Sequence, residues 1–235
     1  MLVLLAALCG IGITARLGVW QLERAAQKQA LVQARADQQA LPPLGSAELP
    51  TDAAALPSLL HRRVLLQGQW LHAHTVFLEN RQMQGRTGFY ALTPLQLQAP
   101  GGPVVLVQRG WVPRALTDRT QVPALPQPGG TVAVEGVLAP WPSRIYDFGE
   151  AGEGVIRQNL DFAAYRASTG LPLIGLSVQQ TRGDDDGLLR DWPVVASGVE
   201  KHHGYAFQWF GLSGLILLLY VWFQIVQPRR QARRA

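Results

Sequence analysis

A run without a single charged residue, from Gly204 to Val226, closes the chain and narrows what it can become. A helix crossing the hydrocarbon core of a bilayer needs about 20 apolar residues, and this stretch slightly exceeds that length. Leu, Ile, Phe and Val each favour insertion by roughly 0.3 to 0.6 kcal/mol at mid-bilayer, whereas an Asp, Lys or Arg inside would oppose it by about 2.5 to 3.5. The run is entered through Lys201-His202-His203 and left through Pro228-Arg229-Arg230-Gln231-Ala232-Arg233-Arg234. The sequence therefore predicts a transmembrane helix over 203–226 and a basic tail over 227–235.

The other end carries a second apolar stretch. Met1 to Ala15 is uncharged, and with Arg16 snorkelling toward the headgroups the span continues to Trp20, so 1–20 is read as the first transmembrane helix. A cleaved signal peptide competes with an anchor here. Against it stand the missing basic leader and the bulky Trp20 where small residues would be cleaved. Orientation pulls two ways: Arg16, Arg24, Lys28 and Arg35 follow the first span, and four arginines follow the second. Loops longer than about 60 residues translocate largely regardless of charge, so the C-terminal cluster decides and the long middle segment is placed outside the cytoplasm.

That topology also interprets the charge. A net +5 and a pI near 9.9 suit nucleic acid, but the arginine cluster flanks a span and anionic headgroups are its natural partner. No nucleic-acid partner is expected. Cys9 is the only cysteine and lies in the first apolar run, so neither a disulfide framework nor a thiolate metal site is available.

Between the spans, Gln21 to Ala40 lacks Gly and Pro and continues the first helix, until Leu41-Pro42-Pro43 stops it; 21–58 is helical extension and linker. A β-rich domain over 59–199 follows. Val64–Trp70, Thr75–Glu79, Gly88–Leu97, Val104–Arg109, Thr131–Leu138 and Leu173–Gln180 have the strand texture, with Ala99-Pro100-Gly101-Gly102-Pro103 turning a hairpin. Val104 to Val107 is apolar on both faces and reads as a central, covered strand. One helix, Asp161 to Ser168, has Asp161 as N-cap and Gly170 as stop. The expected class is a membrane protein with two transmembrane helices flanking one mainly-β (α+β) extracytoplasmic domain, an antiparallel barrel or sandwich.

Motifs for nucleophilic, phosphate, dinucleotide or zinc-hydrolase chemistry are missing from the sequence, so no enzyme is predicted. Asp184-Asp185-Asp186 in a Gly-bounded loop reads as solvated, and His72 with His74 as surface histidines near a turn rather than two ligands of a metal. His202 and His203 are different, because polar ring side chains at a membrane entrance are functional candidates by default. On a helix His202, Tyr205 and Trp209 share one stripe, while His203 lies with Phe207 and Phe210. The residues alone leave two accounts: a polar pair in an interfacial aromatic belt, or an axial imidazole ligand to a haem iron. Arg81 and Arg109-Gly110-Trp111 likewise suit either a partner-binding surface or internal hydrogen bonding, the latter favoured because Arg109 follows a core strand.

Four sequence segments, in order, resemble the surfeit locus protein 1 family of cytochrome c oxidase assembly proteins, in a bacterial member. They are Leu17-Gly18-Val19-Trp20-Gln21-Leu22-Glu23-Arg24 with Lys28; Glu79-Asn80-Arg81 followed by Gly88 and Thr93-Pro94; Val107-Gln108-Arg109-Gly110-Trp111-Val112-Pro113; and His202-His203-Gly204-Tyr205-Ala206-Phe207-Gln208-Trp209-Phe210. Gln108 replaces the family's usual Asn and His203 its usual Leu. Register with Tyr205 and Trp209 makes His202 the counterpart of the family histidine. The resemblance implies a multi-pass protein of the cell inner (plasma) membrane that binds haem a and assists its insertion into the oxidase catalytic subunit. His202 would be the iron ligand, with Tyr205 and Trp209 as aromatic surface; Arg24 and Lys28 would either pair with the propionates or anchor the first helix at the headgroups. A cofactor-free scaffold that holds the catalytic subunit during assembly is the alternative.

Overall fold

The computed structural model describes residues 1–115, 121–122, 124–145, 154–183, 186–193 and 198–232. In chain order these form α1 (Leu2–Ala40), β1 (Leu44–Gly45), β2 (Arg63–Trp70), β3 (Val76–Met83), β4 (Arg86–Leu97), β5 (Val104–Pro113) and β6 (Thr131–Ala139). There follow β7 (Ile156–Arg157), α2 (Phe162–Thr169), β8 (Leu173–Gln180), α3 (Val199–Val221), a π-helical turn (Trp222–Val226) and α4 (Gln227–Ala232). They divide into two compact units: 1–34 with 195–235, and 35–194.

The second unit is a closed barrel. β2 pairs with β6, β6 with β8, β8 with β5, β5 with β4, and β4 returns to β2. Closure depends on the length of β4: Leu95 to Leu97 pair with β2, while Arg86 to Leu92 pair with β3, which carries β7 on its far edge. It depends also on Gly68, because a Cβ there would collide with the Gln96 carbonyl across the seam. Antiparallel pairing alone was expected, and the structure corrects this: β5 and β8 run parallel, as do the short pairs β1–β2 and β3–β7. The long passage from β5 to β8, through β6 and α2, supplies the crossover that a parallel pair requires.

β5 is buried from Val104 to Val112, as its unbroken apolar start predicts. Val105 and Val107 join Val64, Leu66, Leu95, Val134, Leu138 and Val178 in one core cluster. Val104 and Leu106 face the opposite way, into a cluster with Leu78, Leu92, Leu160 and Tyr165 from the α2 side. α2 is capped as its sequence predicts: Asp161 accepts from the Ala164 amide at 2.9 Å, and Gly170 at φ 67° donates its N–H to the Arg166 carbonyl. β3 runs four residues past its expected end, through a register shift at Asn80, whose φ is +57°. The hairpin of β4 and β5 and the bounds of β8 agree with expectation. The stretch expected to be irregular linker contains β1 and two short 3-10 turns, Ser46–Glu48 and Leu56–Leu59, with Leu49 and Leu56 packed into the core.

In the first unit, α1 and the continuous helix from Val199 to Ala232 are both long and apolar enough to cross a membrane. α1 continues unbroken to Ala40, as the absence of Gly and Pro after Trp20 predicts.

Candidate functional site

The helices of the first unit meet along two stripes with the alternating three- and four-residue spacing of a coiled-coil seam. On α1 the covered positions include Ala7, Ile11, Thr14, Gly18, Gln21, Ala25 and Lys28; on α3 they include His202, Ala206, Trp209, Ser213, Ile216 and Tyr220. The pairing is antiparallel. Ser213 donates to the Ile11 carbonyl at 3.3 Å, and Gly18 lies so close to Phe210 that a Cβ would come within 2.8 Å of its ring. Small residues allow backbones to approach where lipid supplies no hydrophobic drive between helices.

At the end of this seam His202 Nδ1 lies 2.7 Å from Gln21 Oε1, half-buried between the helices. Lys28 reaches the same end: a Cβ at Gly198, the N-cap of α3, would sit 3.5 Å from its Nζ. Arg24 is one turn before Lys28, its guanidinium 5.7 Å from the centroid of Trp20 and its Nη1 donating to Gln27 at 3.1 Å. Both cations are close enough to act electrostatically on the His202 ring. One imidazole, an amide and two cations therefore share one end of a largely apolar helix pair.

The predicted site residues divide. His202 and Trp209 lie on the covered stripe, and Arg24 sits with Lys28 at its His202 end. Tyr205 is 52% exposed, outside the seam, and His203 and Phe207 are exposed on the far side. Gln21 was quoted in the sequence signature but given no role. Its signal was its spacing of seven from both Thr14 and Lys28, which sets it on the face that α3 covers.

The remaining candidates are structural. His72 and His74 occupy a 3-10 turn, where His72 Nε2 lies 3.3 Å from the Pro128 carbonyl and the His74 carbonyl accepts from Tyr165. Asp184 and Asp185 fall outside the described residues, while Asp186 is ion-paired with Arg190. Among the described residues no three His, Cys, Asp or Glu cluster as metal ligands would. Arg81 is 6% exposed and donates to the Ser143 and Gln158 carbonyls at 3.0 and 2.9 Å, and Trp111 Nε1 donates to the Arg81 carbonyl at 2.8 Å. Arg109 stacks 4.9 Å from the Trp70 centroid and donates to the Pro126 carbonyl at 3.1 Å. Burial pulls both guanidinium groups below their ordinary pKa, with Asp186 partly opposing this at Arg109.

Comparison with known proteins bears on the whole arrangement. The model of the SURF1 family matches residues 8–214, from the first apolar run to the middle of α3. A SURF1-like protein of Monosiga brevicollis is 32% identical over 140 residues, 54% of this chain and 50% of that protein. The cytochrome oxidase assembly protein SHY1 of Saccharomyces cerevisiae is 29% identical over 100 residues, 41% of this chain and 24% of that protein. The alignments thus span half the length of one relative and about a quarter of the other.

Proposed function

The chain belongs to the SURF1 family, and from that premise we propose that it is a non-catalytic assembly factor for haem-copper cytochrome c oxidase, holding haem a for insertion into the catalytic subunit. Its two apolar helices are the membrane spans, in the cell inner membrane, and its barrel lies on the extracytoplasmic side. The observation that carries the haem reading is the half-buried His202 at the end of the α1–α3 seam, beside Arg24 and Lys28. The donor set suits the group: a neutral imidazole for the iron, two cations for the propionates, and aromatic side chains on the same helix in Tyr205 and Trp209 for an apolar macrocycle. Bound there, haem would be held by His202 at its iron and by Arg24 and Lys28 at its carboxylates. The chain's own residues orient that ring, neutralise two carboxylates and separate the macrocycle from water.

The test is the visible spectrum of protein isolated from cells that make haem a, with His202→Ala and His203→Ala beside the unaltered chain. Loss of the Soret band in His202→Ala and its retention in His203→Ala is the expected result; the reverse would reassign the ligand, and retention in both would end histidine ligation. Capture of the catalytic subunit in cells unable to make haem a, with no haem on the protein in normal cells, would favour a cofactor-free scaffold instead.

A further inference from the structure

We propose that Gln21 is the positioning residue for His202: it fixes the ring with its proton on Nδ1 and its lone pair on Nε2, the form in which an imidazole binds iron. This rests on the haem-binding reading above and deepens it. The amide oxygen of Gln21 carries no proton, so the 2.7 Å contact requires Nδ1 to be the donor. In a neutral ring Nε2 then keeps its lone pair, and among the described residues it has no hydrogen-bond partner. Histidines that bind metals donate their other ring N–H in this way, which sets both tautomer and ring orientation.

Gln21 is well placed to hold a ring still. One turn before it Gly18 is packed against Phe210, and one turn after it Ala25 is 1% exposed, so the backbone carrying the amide is clamped on both sides. His202 begins the covered stripe of α3 and Ala206, one turn on, is 2% exposed. Each partner therefore sits on a segment whose position is set by close backbone approach. His203, exposed and without a side-chain partner among the described residues, has no such restraint.

The test uses the full-length chain in lipid nanodiscs, labelled with nitrogen-15 histidine, first without haem and then titrated with haem a. The His202 signals are those lost in His202→Asn. In the unaltered chain Nδ1 is expected to be protonated and Nε2 bare. Gln21→Leu releases the ring to a mixture rich in the Nε2-protonated form and weakens haem binding about 10- to 100-fold. Gln21→Glu, which keeps an acceptor, retains the Nδ1–H form and most of the affinity; Gln21→Met replaces Leu as the test if Leu disturbs the helix pair. A protonated Nε2 in the unaltered chain overturns the proposal, as does Gln21→Leu with unchanged haem affinity. If the unaltered chain binds no haem, the haem reading fails by itself, while the nitrogen signals still decide whether Gln21 sets the ring.

Discussion

The barrel and the helix pair are built to opposite plans. In the barrel domain the large apolar side chains are buried: Val64, Leu66, Phe89, Leu106 and Trp111 are all at 0% exposure. In the helix pair many of them point outward, with Phe207 at 80% and Leu218 at 68%, and the seam mixes small and polar residues (Gly18, Thr14, Gln21, Ala25, His202, Ala206 and Ser213) with Ile11, Trp209 and Ile216. A barrel in water is held by apolar area removed from solvent, at about 25 cal/mol per Å². Two apolar helices sharing a bilayer would gain nothing that way and would be held by close packing and polar contacts. The same side chain therefore means different things in the two regions. A buried Leu is structure in the barrel; a half-buried His between two apolar helices is a candidate for function.

The largest expected effect tests the barrel half of this contrast. Trp111→Ala empties a fully buried site and removes the indole donor from the Arg81 carbonyl. Replacing a buried Trp by Ala costs about 3–5 kcal/mol, so denaturant unfolding of the barrel should shift by that amount. Gln21 and His202 both belong to the helix unit, so the nitrogen signals of His202 should stay where they are. A shift in those signals would break the division between the two regions.

The seam half is tested by Gly18→Leu. The Phe210 ring leaves no room for even a Cβ, and forcing a side chain into a packed site costs about 1–3 kcal/mol. Cross-linking between cysteines placed at 14 and 213 should fall, and haem binding with it, because Gln21 and His202 no longer meet at hydrogen-bond distance. Barrel unfolding should be unchanged. If Gly18→Leu leaves the cross-link intact, close helix packing is not what holds the pair.

This contrast also governs how much could be read from the sequence. Strand β8, the β4–β5 hairpin and the caps of α2 were legible because alternation, turn residues and Asp/Gly capping act locally. The parallel β5–β8 pairing was not, since it joins strands far apart in sequence and no local pattern records a partner's direction. Nor was the second half of β3, where Asn80 at positive φ interrupts the alternation that marks a strand. At the site, His202, Arg24 and Lys28 stood out by residue type and place. Gln21 did not, because an amide in a polar helical extension has nothing unusual about it until the facing helix is known. A seven-residue count along 7, 14, 21 and 28 was the available clue, hidden by the charged residues around it.

The smallest effect concerns a polar group that the barrel does bury. Tyr165 is 1% exposed, its hydroxyl donates to the His74 carbonyl at 2.5 Å, and burial pushes its pKa up to about 12, with Arg157 opposing. A raised tyrosine pKa means that the fold favours the neutral form. The contribution is complete below pH 10, the ordinary value, and is lost as pH rises toward 12, by roughly 3 kcal/mol at most. Tyr165→Phe removes one neutral hydrogen bond and should cost only about 1 kcal/mol near pH 7. It should also remove the alkaline loss, so the stability curves of variant and parent, followed by urea unfolding, should cross between pH 10 and 12. Parallel curves over that range would mean that the Tyr165 hydroxyl stays wet and that its burial does not set the alkaline stability.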